Sequence, residues 1–236
     1  SYVNWLIDIQ AGSLAGTWAV GTTGRIGVSA QYLDYGQFDA RESDGEVRAK
    51  DLVASDVALA ISWAGRVREN LAYGLSGRLI AESIDDASST ALAADLGLTY
   101  ELGDKRTRVG LALRNLGAQT KSIVDSVKES LPTTIAAGLS HHLRGAPVLF
   151  AVDLLKPRDD DVGGAFGVEV AAFRQMLIRA GYNTLIAKIE TDSNSDNFAG
   201  LSLGVGFVFE RIAIDYAFAS YSELGDAHRL SIGSRF

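Results

Sequence analysis

The sequence predicts an all-β protein, an antiparallel transmembrane β-barrel with about 14 strands in the full protein and about 13 in this chain. Three observations support this fold class. Apolar residues recur at every second position, the positions between them are small or charged, and short and long connections alternate along the chain. A transmembrane barrel shows all three features, because its outer face meets lipid, its inner face encloses a lumen, and its hairpins end in short turns on one side.

The thirteen predicted strands are defined by their alternating apolar positions, and almost no segment shows helical spacing. Several strands are about 10 residues long, which is enough to cross a bilayer at a tilt. In chain order the strands cover residues 14–20, 26–32, 57–63, 71–79, 92–100, 109–113, 135–143, 148–154, 166–170, 176–182, 201–209, 212–218 and 230–236.

The connections distinguish a barrel from a soluble sandwich. Short turns such as "LGDKR" at Leu102 and "FRQ" at Phe173 alternate with the longer segments 36–51, 82–90, 117–131, 156–162, 184–198 and 221–227. A Greek-key sandwich gives no reason for loop lengths to be sorted by end. Bacterial outer-membrane barrels do sort them, with short turns on the periplasmic side and longer loops outside. The predicted location is therefore the bacterial outer membrane, where lipid is the first partner.

Composition indicates a single domain, residues 1–236, and excludes several functions. The chain has no cysteine, which rules out disulfides and thiolate metal sites, and its formal charge of −7 argues against nucleic-acid binding. His141 and His142 point to opposite faces of one strand, and His228 lies far from both in sequence. "DSNSDN" at Asp192 begins like a calcium loop but lacks its Gly and its final Glu. We expect no enzyme, no metal and no cofactor.

The end of the chain predicts a signal for membrane insertion. Leu230, Ile232 and Phe236 share one face of the last strand, and a terminal aromatic residue on such a strand fits a recognition segment for outer-membrane assembly. An odd strand count conflicts with the even numbers of single-chain bacterial barrels. We therefore expect "SYVNW" to lie in an outer loop and at least one upstream strand to be missing.

The predicted lumen carries eight charged residues of balanced sign. Because an unpaired buried charge is costly, we expect them to form a cross-linked network that stiffens the wall, with Arg179 or Arg229 paired to Asp215 or Glu169. The eight are Arg78, Asp95, Arg114, Asp153, Glu169, Arg179, Asp215 and Arg229.

A set of phrases spread over nearly the whole chain resembles the PorV/PorQ family, FadL-like outer-membrane barrels associated with type IX protein secretion. The phrases include "NLG" at Asn115, "DLLKP" at Asp153, "RAGYN" at Arg179, "GLSLGVGF" at Gly200 and "LGDAHRLSIGSRF" at Leu224. The family begins with a Gly-rich segment, and no such segment precedes Ser1. The resemblance implies a barrel that helps to secrete, shuttle or anchor proteins.

Two other functions stay open beside this protein-handling function: a FadL-like channel for hydrophobic small molecules, and a scaffold barrel in a larger surface assembly. A channel needs an apolar pocket inside the wall, whereas the predicted lumen is small, polar or charged. Protein handling is therefore the favoured expectation, with outer loops contacting other secretion or surface proteins. The candidate contact residues are Glu42, Asp44, Ile123, Val127, Asp192 and Asp196.

Overall fold

The structure is a computed structural model. It describes residues 1–4, 9–41, 47–123, 130–188, 198–221 and 225–235, and for 38–41 and 47–51 it describes the backbone alone. The chain forms a closed barrel in which each strand pairs with its neighbours in sequence and the first pairs with the last. The predicted all-β antiparallel barrel is confirmed.

Fourteen strands make up the wall in the described part of the chain, together with one short helix, α1, at Thr184–Ala187. The strands are β1 Tyr2–Asn4, β2 Gln10–Val20, β3 Gly24–Arg41, β4 Val47–Arg68, β5 Leu71–Ile84, β6 Ala87–Glu101, β7 Thr107–Lys121, β8 Thr134–His142, β9 Val148–Pro157, β10 Gly163–Phe173, β11 Met176–Asn183, β12 Leu201–Phe209, β13 Ile212–Ser220 and β14 Asp226–Ser234. No helix in the described residues is long and apolar enough to cross a membrane.

The predicted count of 13 strands is one too low. The thirteen predicted strands correspond to β2–β14, and the additional strand is β1, which was expected to lie in an outer loop. Tyr2 pairs with Leu230 of β14 on one side and with Gly12 of β2 on the other. Three residues are too few to show a period of two, so sequence alternation could not detect this strand.

The barrel closes through its least paired strand, β1. β14 pairs with β13 along nine residues, from Ser220↔Asp226 to Ile212↔Ser234, but with β1 along only three. β1 itself is extended by one pair of hydrogen bonds, in which Ser1 and Ser13 exchange backbone contacts of 2.7 and 2.9 Å. On the edge that faces the closure, β2 beyond Ser13 and β14 beyond Leu230 have no ladder partner among the described residues. Their other edges pair with β3 and β13.

The lipid-facing surface of the wall is apolar. Large side chains such as Leu14, Ile61, Leu111, Leu154 and Ile232 are exposed by 58 to 79% along alternate strand positions. In water such a surface would mark an aggregation hazard, whereas a bilayer solvates it. The closed barrel and this apolar band confirm the predicted location, the bacterial outer membrane.

The two ends of the barrel differ in their connections. One end, which we call the short-turn rim, carries the turns at 21–23, 69–70, 102–106, 143–147, 174–175 and 210–211, together with Arg235 after β14. At the other end, the hairpin of β3 and β4 extends well past its neighbours, since β4 alone has 22 residues and about 10 suffice to cross a bilayer.

Candidate transport lumen

The inner face of the wall consists mainly of small residues with a few charged side chains among them. On β6, for example, Leu96 and Leu98 face lipid, so that Asp95 and Gly97 face the lumen. Small inward residues leave space inside a 14-strand barrel, and the charged side chains can reach across to neighbouring strands. Among the eight charged residues predicted to face the lumen, five form two separate clusters, on different sides of the barrel.

The first cluster joins β5, β6 and β7. Arg78 Nη2 lies 2.7 Å from Asp95 Oδ2, and Ser76 Oγ donates to the same oxygen at 3.2 Å. Arg78 Nη1 also donates to the side-chain oxygen of Asn115 at 3.0 Å. The Arg78 side chain is 30% exposed and that of Asp95 is 22% exposed, so the pair is shielded from solvent in part but not desolvated.

A β-bulge in β7 completes this first cluster. Asn115 has φ 54°, and the pairing of β6 with β7 shifts between Ala94 and Leu96. Asparagine tolerates this left-handed conformation better than most residues. The bulge aims the Asn115 backbone N–H at Asp95 Oδ1, 2.7 Å away, so both carboxylate oxygens of Asp95 are satisfied. Sequence analysis noted the phrase "NLG" here without detecting its structural role.

The second cluster joins β10, β11 and β13. Arg179 Nε donates to Glu169 Oε2 at 2.7 Å, and its Nη1 donates to Asp215 Oδ1 at 2.6 Å. Glu169 pairs with Arg179 in the ladder, and β12 separates Arg179 from Asp215 with Gly204 and Gly206. The guanidinium therefore reaches across a strand that has no side chain to block it. Of the two arginines considered for these carboxylates, Arg179 binds both.

Three of the eight predicted lumen charges have no ion pair in the described part of the chain: Arg114, Asp153 and Arg229. All three are exposed to the lumen space. Solvated charges of this kind contribute little to stability, because water already satisfies them. The structure thus shows two local clusters and three isolated charges instead of one continuous network.

A cavity of about 380 Å³, lined by polar and apolar side chains in similar measure, lies against the lumen side of β1–β5 and β14. Its lumen-facing apolar lining is Val3, Ala11, Leu33, Ala58 and Ile80. Polar groups stand around this lining, namely Gln31, Asp56, Arg78 and Arg229. Small-molecule sites combine such an apolar body with a few polar groups, and most have volumes of about 300 to 1,000 Å³.

This cavity was missed at the sequence level because the strands are longer than their alternating apolar positions indicate. Leu33 and Ile80 stand one position beyond the predicted ends of β3 and β5, and Val3 belongs to β1, which was not predicted. All three face inward because the strand continues past them. The expectation of a lumen that is only small, polar or charged is therefore wrong on this side of the barrel.

A second lumen cavity, of about 340 Å³, lies over the Arg179 cluster, where Glu169, Asp215, Gly181 and Ser202 contribute to its lining. This cavity has fewer polar side chains in its lining than the 380 Å³ cavity. In the described residues, no group of three His, Asp or Glu side chains is placed to hold a metal ion. The described part of the lumen therefore offers two binding surfaces.

Most candidate partner-contact residues lie outside the described residues: Glu42, Asp44, Val127, Asp192 and Asp196. Ile123 is described and is 41% exposed after the end of β7. In the predicted insertion signal, Leu230 and Ile232 face lipid on β14 and are 47 and 68% exposed, whereas Phe236 lies outside the described residues. Insertion signalling and partner contact both stay predictions.

Solved structures with the same architecture are outer-membrane channels. The crystal structure of the toluene transporter TodX of Pseudomonas putida matches with a TM-score of 0.61 and 14% identity, over 98% of this chain and 85% of that one. The toluene transporter TbuX of Ralstonia pickettii matches with a TM-score of 0.63 and 14% identity, over 100% and 86%. The chain matches no protein-family model and no curated protein sequence.

The chain shares its fold with these transporters. At 14% identity the likeness concerns the fold alone, and it extends over almost the whole chain. Membership of the PorV/PorQ family in particular is not supported by these comparisons. The outer-membrane β-barrel architecture expected from the sequence agrees with them.

Proposed function

We propose that this protein is an outer-membrane channel for small apolar molecules. The observation that carries the proposal is the 380 Å³ lumen cavity with its lining of Val3, Ala11, Leu33, Ala58 and Ile80. An apolar pocket inside the wall distinguishes a channel of this kind from a protein-handling barrel. Val3, Leu33 and Ile80 support the proposal because they bring large apolar side chains together on the lumen side of the wall.

The neighbouring structures support the same solute class. TodX and TbuX are toluene transporters, and a deletion variant of TodX, described as a monoaromatic hydrocarbon channel, matches this chain with a TM-score of 0.65. A compact apolar solute suits a cavity of this size, because burial of its surface contributes about 25 cal/mol per Å². Protein handling has no comparable support in the lumen or in the comparisons.

The test is uptake of labelled toluene by cells that lack their own apolar-solute channels and express this chain. Ala58→Trp fills the cavity, and we expect it to lower the rate of uptake about tenfold, whereas permeation of a small sugar changes little. Ala112→Trp is the matched control, because it places the same side chain on a lumen-facing position of β7 away from the cavity. Heat-modifiable migration of both variants in SDS gels would show that each barrel has folded.

Toluene uptake no faster than in cells without the protein would reject the channel. Equal loss of uptake in the two variants would show that the lumen is merely obstructed and that the cavity has no special role. Capture of a secreted protein by cells expressing the barrel, with no uptake of toluene, would favour the protein-handling function instead.

A further inference from the structure

The short-turn rim is strongly basic although the protein as a whole is acidic. Each of its six turns has a basic residue in it or within two residues of it: Arg25, Arg68, Arg106, Arg144, Arg174 and Arg211. In total the rim has ten Lys and Arg against four Asp and Glu, counted over residues 21–25, 66–70, 101–108, 143–147, 173–175, 209–211 and 235. The formal charge of the whole chain is −7, so the excess of positive charge is local.

The rim's basic side chains are largely free to bind an external anion. Nine of the ten are exposed, and Arg106 is half-buried. Of these ten basic residues, only Arg108 forms an ion pair within the described part of the chain, with Glu101 at 3.1 Å. By strand alternation Arg25, Arg66 and Arg108 face the lumen. The other basic residues lie in or beside the turns, where phosphate and carboxylate groups are natural partners for arginine.

The opposite end of the barrel has the reverse character. Residues 82–86 contain three acidic residues and no basic one, and "RDDD" from Arg158 contains three acidic residues in a row. The barrel is consequently polarised along its axis. A random distribution of surface charge would not place a basic residue at all six turns of one end and acid-rich loops at the other.

The depth of the rim in the bilayer indicates which anionic groups its basic residues meet. Trp63 and Tyr73 lie on the lipid-facing surface near the short turns, and Trp63 Nε1 donates to the Tyr73 hydroxyl at 3.2 Å. Aromatic residues of this kind mark the interface between hydrocarbon and headgroups. Turns of two to five residues beyond them hold their arginines at headgroup depth, because such short turns cannot project far.

The arrangement of the rim favours lipid over protein. Because strands β2–β14 follow one another around the barrel, their turns are spread around the circumference. A single protein partner would contact one sector of this ring, whereas a lipid leaflet surrounds all of it. We propose that the short-turn rim binds the headgroups of anionic phospholipids in the leaflet that surrounds it. By the loop-length rule this is the periplasmic leaflet.

The test measures lipid preference in nanodiscs that contain equal amounts of phosphatidylglycerol and phosphatidylcholine. Spin-labelled versions of the two lipids report which one is immobilised at the protein surface. We expect phosphatidylglycerol to associate at least about twofold more strongly than phosphatidylcholine with the wild-type barrel. We also expect 0.5 M NaCl to reduce that preference, because salt screens charges at the interface.

Two triple variants locate the effect. Arg144→Gln, Arg174→Gln and Arg211→Gln together remove one charge from each of three turns and should clearly lower the preference. Lys156→Gln, Arg158→Gln and Lys188→Gln remove the same charge from the opposite end and should leave it unchanged. Equal association of both lipids with the wild-type protein would overturn the proposal, as would equal losses in the two triple variants.

The salt response of the wild-type protein keeps the proposal testable if the rim variant does not fold, since a preference that is insensitive to salt would also overturn it. Soluble polyglutamate added to the nanodiscs tests whether the rim binds an acidic protein instead of lipid. If it bound the wild-type barrel and not the rim variant, and phosphatidylglycerol showed no preference, the rim would be a site for an acidic protein and the lipid proposal would fail.

Discussion

Gly206 lies directly opposite Asp215, and the Asp215 carboxylate occupies the space that a Cβ at residue 206 would need. The Arg179 guanidinium approaches the same point, 3.0 Å from where that Cβ would stand. Glycine at this position therefore allows the carboxylate and the guanidinium to meet above the strand. The ion pair depends on a residue that contributes no side chain to it.

Gly206→Ala is expected to lower the free energy of unfolding by about 1 to 3 kcal/mol, because the new methyl group displaces Asp215 from Arg179. Urea unfolding of the barrel in lipid vesicles measures this. Gly97→Ala is the matched control: residue 97 also faces the lumen, but its only near neighbour is the Leu111 carbonyl oxygen at 3.9 Å. A loss as large for Gly97→Ala would show that the effect comes from strand glycines in general.

Arg179→Met should destabilise the barrel by about 1 to 2 kcal/mol, because it leaves the Glu169 and Asp215 carboxylates without their shared cation. The cost stays below that of a fully buried pair, since the two carboxylate side chains are 31 and 40% exposed. Arg229→Met provides the comparison, as Arg229 has no ion pair within the described residues. Its change should stay within about 0.5 kcal/mol in the same unfolding assay.

Asp104 stabilises the turn between β6 and β7 through its carboxylate. The backbone N–H groups of Arg106 and Thr107 donate to its Oδ1 at 2.9 and 3.0 Å, and these bonds hold the pKa of Asp104 below its ordinary value. A lowered folded-state pKa means that the stabilisation is complete above the unfolded-state value and disappears as the pH falls through the folded-state value.

The Asp104→Ala variant should therefore melt at a lower temperature than the wild-type protein at pH 7, and the difference should shrink as the pH is lowered below about 4. Thermal unfolding followed by circular dichroism at both pH values checks this. Asp159→Ala removes an exposed carboxylate whose nearest cation, Arg158, is 4.0 Å away, and should change neither melting temperature appreciably. A difference for Asp104→Ala that persisted unchanged in acid would contradict a role for the charged form.

Sidedness can be tested directly because the chain has no cysteine of its own. Asp160→Cys places a thiol in a loop at the predicted outer end, and Ala146→Cys places one in a turn of the short-turn rim. A maleimide that cannot cross membranes should label position 160 on intact cells and position 146 only after the outer membrane has been opened. The reverse pattern would invert the orientation and assign the basic rim to the outer leaflet.

The alternation of apolar residues predicted β2–β14 because each of these strands has one face in lipid, and lipid imposes the same requirement on every strand. Long-range pairing was harder to predict. β1 acquires its strand geometry from contacts with Leu230 and Gly12, more than two hundred and about ten residues away, and its three residues have no pattern of their own. Strand existence was therefore predictable wherever the bilayer determined it.

The sequence predicted which charged residues face the lumen, but not which residues they bind. The inward position of Arg179 follows from alternation, but its choice of Glu169 and Asp215 depends on strand register and on the glycines of β12. The 380 Å³ cavity depends on where strands end, which is poorly determined by sequence, since Leu33 and Ile80 lie just past the last apolar position of the pattern. Side chains at strand ends therefore supply part of its apolar lining.

The joint between β1 and β14 also determines how the barrel loses its structure. Three residue pairs hold it, against nine between β14 and β13. Thermal fluctuations separate the least paired neighbours first, and amide protons become exchangeable when they do. In deuterated buffer, the amides of Tyr2–Asn4 should thus exchange well before those of β13, and the wall should begin to unzip at the place where the chain closes on itself.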